Sequence, residues 1–197
     1  MSSNPDRDAL RRQLRAHRRA LPAARRIAAA EALAGRLLQL PRLPAQGYVA
    51  GYWAMDGEIG LHAFQLRLPA PLIYCLPILH PDRSLRFAPW HAGDPLVTNR
   101  YGIPEPDIAP DAALPASGMA MIVLPLVGFD AAGNRLGMGG GWYDRTLAFR
   151  QGQAAPPLLV GAAFEEQRID AIDRQPWDVP LDAVCTDAAT CIDEDAP

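Results

Sequence analysis

The string Arg135-Leu-Gly-Met-Gly-Gly-Gly-Trp-Tyr-Asp-Arg145 gathers the residue types that handle phosphate. Gly137, Gly139, Gly140 and Gly141 carry no side chain, so backbone N–H groups can approach a ligand closely. A helix starting at Trp142 would add its positive N-terminal end. Arg135 and Arg145 each offer a planar donor fork to phosphate oxygens. Asp144 is a hard oxygen ligand of the kind Mg²⁺ uses beside nucleotide phosphates. The chemistry indicated is anion binding with a divalent cation. The competing reading is a tight structural turn, with Asp144 as a first-turn residue complementing the helix dipole. Neither standard phosphate-loop pattern fits: the order is not GxGxxG, and no Gly-Lys-Ser/Thr is present.

The second concentration of chemistry is basic. All 19 basic residues are arginine, and Arg7, Arg11, Arg12, Arg15, Arg18, Arg19, Arg25 and Arg26 lie within the first 26 positions. A compositional bias explains arginine in place of lysine, but not the crowding at one end. The cluster is either a solvated helix face or one wall of an anion site. Four histidines, His17, His62, His80 and His91, form no spaced metal set. Cys75, Cys185 and Cys191 are too few and too scattered for a disulfide framework, and we expect structural or incidental roles in a reducing compartment.

The elements that must position these residues follow from periodicity. Residues 6–20 have helical spacing through Leu10, Leu14 and Leu21, with Arg11, Arg15, Arg18 and Arg19 on adjoining faces. A second helix, about 23–40, directs Ile27, Leu33, Leu37 and Leu40 toward a core. Strands are expected at 47–53, 72–77, 85–90, 119–127, 157–163 and 181–186, with a helix ending near Leu68 and another over 142–150. Residues 91–118, rich in Pro, Asp and Gly, are expected to be a long loop with little regular structure. The run 119–127 is the best central strand, with a glycine-rich connection over 128–141. Strands alternating with helices imply an α/β fold: a single three-layer α/β/α domain over 1–197, with a mostly parallel or mixed sheet, N-terminal helices over 6–40 and a frayed tail over 188–197.

Composition narrows the class. At 49% hydrophobic and 21% charged, the chain is globular rather than disordered. A net charge of −3 gives no general attraction to nucleic acid or membrane. The N-terminus lacks the apolar core and cleavage site of a secretory signal, so a cytoplasmic protein is expected.

The wider sequence resembles the 5-formyltetrahydrofolate cyclo-ligase family. The match is carried by Leu124-Pro-Leu-Val-Gly-Phe-Asp130 and Gly133-Asn-Arg-Leu-Gly-Met-Gly-Gly-Gly-Trp-Tyr-Asp-Arg-Thr-Leu147. Arg7-Asp-Ala-Leu-Arg11 with Arg18-Arg-Ala-Leu21, Tyr52-Trp-Ala-Met-Asp-Gly-Glu58, Gly102-Ile-Pro-Glu-Pro106, Phe164-Glu-Glu-Gln167 and Pro176-Trp-Asp-Val-Pro-Leu-Asp182 extend it in family order over about residues 7–186. The resemblance implies ATP- and Mg²⁺-dependent conversion of 5-formyltetrahydrofolate, with or without a polyglutamate tail, to 5,10-methenyltetrahydrofolate. It implies ATP contacts at Arg7, Arg11 and the segment Arg135, Leu136, Gly137, Met138, Gly139, Gly140, Gly141, Trp142 and Tyr143. It also implies folate contacts at Trp53, Glu58 and Tyr143, Mg²⁺ ligands at Asp144 and Asp178, and catalytic roles for Arg135, Arg145 and Tyr143.

Each implied role has a plainer alternative. Trp53 could end a core strand, Glu58 could cap the next helix, and Asp178 could shape a turn between prolines. The chain also departs from many family members, with Arg7 in place of Lys, no basic residue at Met138 or Gly140, and Trp142 in place of Tyr. A sugar-phosphate isomerase on a similar scaffold would turn over without ATP, and a non-catalytic folate or nucleotide binder would not turn over at all. A monomer or weak homo-oligomer is expected.

Overall fold

The structure, a computed structural model, describes residues 5–192. Seven strands form one sheet: β1 (Gly47–Ala50), β2 (Leu72–Leu79), β3 (Leu85–Pro89), β6 (Met119–Pro125), β9 (Leu158–Ala162), β10 (Ala183–Cys185) and β11 (Thr190–Ile192), in the order β11-β10-β9-β6-β1-β2-β3. The five inner strands are parallel, while β3 and β11 pair antiparallel at the two edges. The helices are α1 (Pro5–Ala20), α2 (Ala23–Leu38), α3 (His62–Arg67) and α4 (Trp142–Thr146). Two small hairpins complete the set, β4 (Leu96–Thr98) with β5 (Pro104–Pro106), and β7 (Gly128–Phe129) with β8 (Arg135–Leu136).

The central strands are buried on both faces, and alternate residues feed different cores. Met121 and Val123 of β6 join Leu33, Leu37 and Phe64 beneath α2 and α3. Ile122 and Leu124 join Phe87, Leu147 and Val184 on the opposite face, which is covered by α4, a 3₁₀ turn and irregular segments. The expected α/β domain with a mostly parallel, mixed sheet is therefore present. A smaller cluster of Leu14, Val127, Leu136 and Ile172 seats α1 against the β7–β8 hairpin. That contact places the arginine-rich helix next to the glycine segment.

Four local expectations need correction. Ile27 is exposed, because the buried stripe of α2 runs through Ala29, Leu33 and Leu37 and Ile27 lies off that phase. Residues 91–118 contain the β4–β5 hairpin and two 3₁₀ turns rather than a bare loop. The helix expected over 142–150 is a five-residue α4 followed by a 3₁₀ segment, Ala148–Gln151. Of the expected frayed tail, residues 190–192 form edge strand β11, and residues 193–197 lie outside those described.

Candidate active site

The glycine segment leaves β8 and enters α4. Arg135 and Leu136 on β8 are buried, so Leu136 contributes its side chain to the core. Gly139 and Gly141 adopt φ of +90° and +65°, a region that side-chain-bearing residues enter at a cost. The segment closely approaches α1: a Cβ on Gly139 would stand 3.5 Å from Cζ of Arg11, whose Nε donates to the Gly137 carbonyl at 2.9 Å. Gly137 to Gly141 are otherwise accessible, and Met138 is exposed. Because α4 has only five residues, backbone donors and arginines rather than a helix dipole must supply any phosphate affinity.

Both carboxylates singled out in the sequence hold arginines. Asp144 pairs with Arg135 at 2.5 Å, and Asp178 pairs with Arg7 at 3.1 Å. Arg135 ties the two together: its Nε donates to the carbonyl of Val179, the residue following Asp178. Arg7 also donates to the Asp173 carbonyl, and Asp178 accepts from the Gln175 backbone N–H. A shallow cleft lined by Asn134, Arg135, Arg174, Asp178 and Val179 opens here. Among the described residues no group of three or more acidic, His or Cys side chains could hold a metal unaided. Two hard carboxylates suit Mg²⁺, which commonly binds one or two of them and takes its other ligands from water and substrate phosphates.

The third part is the turn Met55–Glu58, which follows β1. Asp56 and Gly57 both have positive φ, and a Cβ on Gly57 would meet the backbone of Arg19 at 3.3 Å. The turn therefore lies directly on α1. Asp56 accepts from Arg15, Arg18 and Arg19. Partial burial pushes its carboxyl up, but the hydrogen bonds from Arg15 and Arg19 and the charges of Arg15 and Arg18 outweigh this and leave it below the usual carboxylate range. Glu58 is different. Its Oε2 accepts from the Met55 N–H at 2.9 Å, yet burial dominates and raises its pKa. Trp53 is about one-third exposed and meets Trp90 edge to face at 5.8 Å.

Tyr143 lies on α4 and is partly buried against the core. Desolvation raises its phenol well above the ordinary range, the Glu58 carboxylate and Tyr74 add to the shift, and Arg135 opposes it. Tyr143 thus feels the charges of both Glu58 and Arg135. Tyr74 reaches over a bare stretch of backbone, where a Cβ on Gly51 would lie 2.0 Å from its hydroxyl. Tyr52 donates to the Ile59 carbonyl at 2.7 Å. The turn thus carries one largely buried carboxylate, Glu58, and the partly exposed Trp53 ring precedes it, beside a core rich in aromatic side chains. A carboxylate near an aromatic face suits a flat heterocycle that presents N–H groups.

Arg145 is turned toward other partners. It donates to the carbonyls of Gly140 and Arg83 and lies 5.5 Å from the ring of Trp142. Arg100 covers both Trp142 and Tyr101, so Trp142 is braced at the outer rim of the loop.

The fold thus brings Arg7, Arg11, Arg135, Tyr143, Asp144 and Asp178 to one region and Trp53 and Glu58 to a turn bordering it, while Arg145 braces the loop. Asp56 and the fully buried Arg18 went unassigned as sites in the sequence. Their signal was present as arginines at i, i+3 and i+4 with one acidic turn residue to receive them. Cys75 and Cys185 are buried, and burial pushes their thiols up to about 12 and about 11, so neither is an activated nucleophile.

A sequence-family model described as the 5-formyltetrahydrofolate cyclo-ligase family matches residues 3–187. The chain is 37% identical over 177 residues to the 5-formyltetrahydrofolate cyclo-ligase of Escherichia coli (strain K12), spanning 88% of this chain and 96% of that protein. It is 35% identical over 179 residues to the Haemophilus influenzae enzyme of the same name, spanning 89% and 94%. The solved structure of Aquifex aeolicus 5,10-methenyltetrahydrofolate synthetase superposes with a TM-score of 0.82 at 27% identity, covering 97% of this chain and 94% of that one.

Proposed function

The chain belongs to the 5-formyltetrahydrofolate cyclo-ligase family and is a ligase, and we propose that it converts 5-formyltetrahydrofolate to 5,10-methenyltetrahydrofolate in the cytoplasm, consuming ATP with Mg²⁺. The observation that carries this reading is the adjacency of two unlike half-sites. A glycine segment held by Arg11 lies beside the Arg135–Asp144 and Arg7–Asp178 ion pairs, and α1 links it through Arg18 to the turn that carries Glu58.

In this reading the formyl oxygen attacks the γ-phosphorus of ATP and ADP leaves. N10 then adds to the activated carbon and gives up its proton, and inorganic phosphate departs to leave the methenyl bridge. No protein nucleophile is required, which suits a site of donors and carboxylates. The backbone of Gly137–Gly141, with Arg11 and Arg135, cradles the phosphates. Arg7 reinforces them once released from Asp178. Asp144 and Asp178 would hold Mg²⁺, which supplies charge neutralisation at the phosphate oxygens. Glu58 accepts hydrogen bonds from the pterin, Trp53 and Tyr143 flank its ring, and Tyr143 with Arg135 borders the reacting end. The decisive experiment incubates the purified protein with 5-formyltetrahydrofolate, ATP and Mg²⁺ and follows the methenyl near-UV absorbance. Absorbance growth requiring both ATP and Mg²⁺, with ADP formed in equal amount, is expected; folded protein giving no product would exclude the function.

A further inference from the structure

One guanidinium lies apart from the phosphate side. Arg18 is 1% exposed and projects from the middle of the molecule's contact between α1 and the turn Met55–Glu58. A buried guanidinium must have its donors met. Its Nε donates to the Asp56 carbonyl at 3.1 Å, Nη2 to the Asp56 carboxylate at 2.9 Å, and Nη1 to the Leu126 carbonyl at 3.1 Å. The same Nη1 lies 3.9 Å from Oε1 of Glu58, too far for a hydrogen bond but close enough for strong attraction in a dry setting.

These contacts are arranged in a useful order. Leu126 follows the central strand β6, and its carbonyl also accepts from Gln167 at 2.6 Å, so this anchor is rigid. The turn it holds has a demanding backbone. Asp56 occupies the left-handed region at φ 54° and Gly57 follows at φ 75°, so the backbone conformation is sustained by its partners. Arg15 and Arg19 grip Asp56 from the surface, with side chains 31% and 54% exposed, whereas Arg18 links the turn from within to the Leu126 carbonyl just past β6. Glu58 is bonded at Oε2 to the Met55 N–H, which leaves Oε1 on the side of Arg18.

We propose that Arg18 is a positioning residue for substrate: by pinning Asp56 to the Leu126 carbonyl and standing opposite Glu58, it fixes the carboxylate that receives the pterin. Arg18 does not touch the substrate. The proposal rests on the reading of Glu58 as the pterin acceptor, and it assigns α1 a second task beyond its phosphate-side arginines.

A double-mutant cycle on the full chain tests it, with KM for 5-formyltetrahydrofolate and KM for ATP measured for Arg18→Lys, Glu58→Gln and the pair. Lysine keeps the charge but cannot reach Asp56 and Leu126 with one planar fork. Arg18→Lys is expected to raise the folate KM roughly tenfold, the size of one lost charge-assisted contact, with ATP KM unchanged. In the Glu58→Gln background the same substitution should change folate KM by less than about twofold, since its target is gone. An equal rise in both backgrounds, or a parallel rise in ATP KM, would make Arg18 part of the scaffold only and overturn the proposal. If Glu58→Gln alone leaves folate KM unchanged, the reading of Glu58 falls and the proposal with it. Should Arg18→Lys not fold, Asp56→Asn replaces it in the same cycle with the same expected split; asparagine tolerates the left-handed backbone but cannot hold Arg18 by charge.

Discussion

Arg135 grips Asp144 through one end of its guanidinium while its Nε donates to the carbonyl of Val179, next to Asp178. One buried side chain therefore ties α4 to the backbone beside Asp178. If the two carboxylates hold Mg²⁺ as proposed, binding of Mg-ATP exchanges partners, with phosphate taking arginine and metal taking carboxylate.

Asp144→Asn should make this exchange costly for the metal alone. The Mg²⁺ concentration for half-maximal rate is expected to rise about tenfold or more, equivalent to ~1.4 kcal/mol, with folate binding retained. A Mg²⁺ titration of the initial rate, beside a folate binding isotherm, checks both halves. An unchanged Mg²⁺ curve would leave Asp144 as a partner of Arg135 and nothing more.

Arg11→Ala removes the donor to the Gly137 carbonyl and a charge beside Gly139. Loss of a charge-assisted contact of about 1.5–3 kcal/mol should raise ATP KM roughly 10- to 100-fold. Folate KM should be little changed, which steady-state kinetics with each substrate varied in turn will show. Unaltered ATP kinetics would assign Arg11 to bracing the loop.

Glu58 carries a pH signature. Because burial raises its pKa, the folded chain holds a proton here over a window where the unfolded chain has released it. Stability therefore falls as pH rises from the ordinary glutamate range through the raised folded value, and the deficit is complete above it. Glu58→Gln should accordingly melt higher than the parent at neutral pH, with the gain vanishing near pH 4. The same variant should bind folate poorly and lose the acid limb of the folate kcat/KM profile. A lower melting temperature at neutral pH would contradict this assignment.

Arg150 and Asp182 form a buried pair at 2.8 Å, with both side chains about 5% exposed or less. Asp182 also accepts from the Leu159 N–H at 2.6 Å. Arg150→Ala should cost about 3–5 kcal/mol, because a buried carboxylate loses its cation. Denaturant titration measures the loss, while KM values of the remaining folded protein should stay at the parent level.

The sequence made some of this legible and hid the rest for physical reasons. The parallel core was visible because Met119–Pro125 and Leu158–Ala162 are continuous apolar runs, the mark of strands buried on two faces. The glycine segment was visible because positive φ at Gly139 and Gly141 selects for glycine. The ion pairs were not. Arg7 and Asp178 lie 171 positions apart, and no periodicity predicts which arginine meets which carboxylate. Arg18 resembled its exposed neighbour Arg19, since burial is set by helix phase against a turn whose position sequence does not reveal. The β4–β5 hairpin was obscured by Pro104 and Pro106, which ordinarily argue against a strand and are tolerated here in a two-stranded ribbon.

The sheet order has a consequence for the chain as it is made. β1 needs β6 on one side, and α1 must wait for Asp178 before Arg7 has its carboxylate. At about 5–20 residues per second, roughly ten to thirty seconds separate Arg7 from that partner on the ribosome. The ion pair that joins the first helix to the chain near Asp178 therefore forms only when synthesis is almost complete.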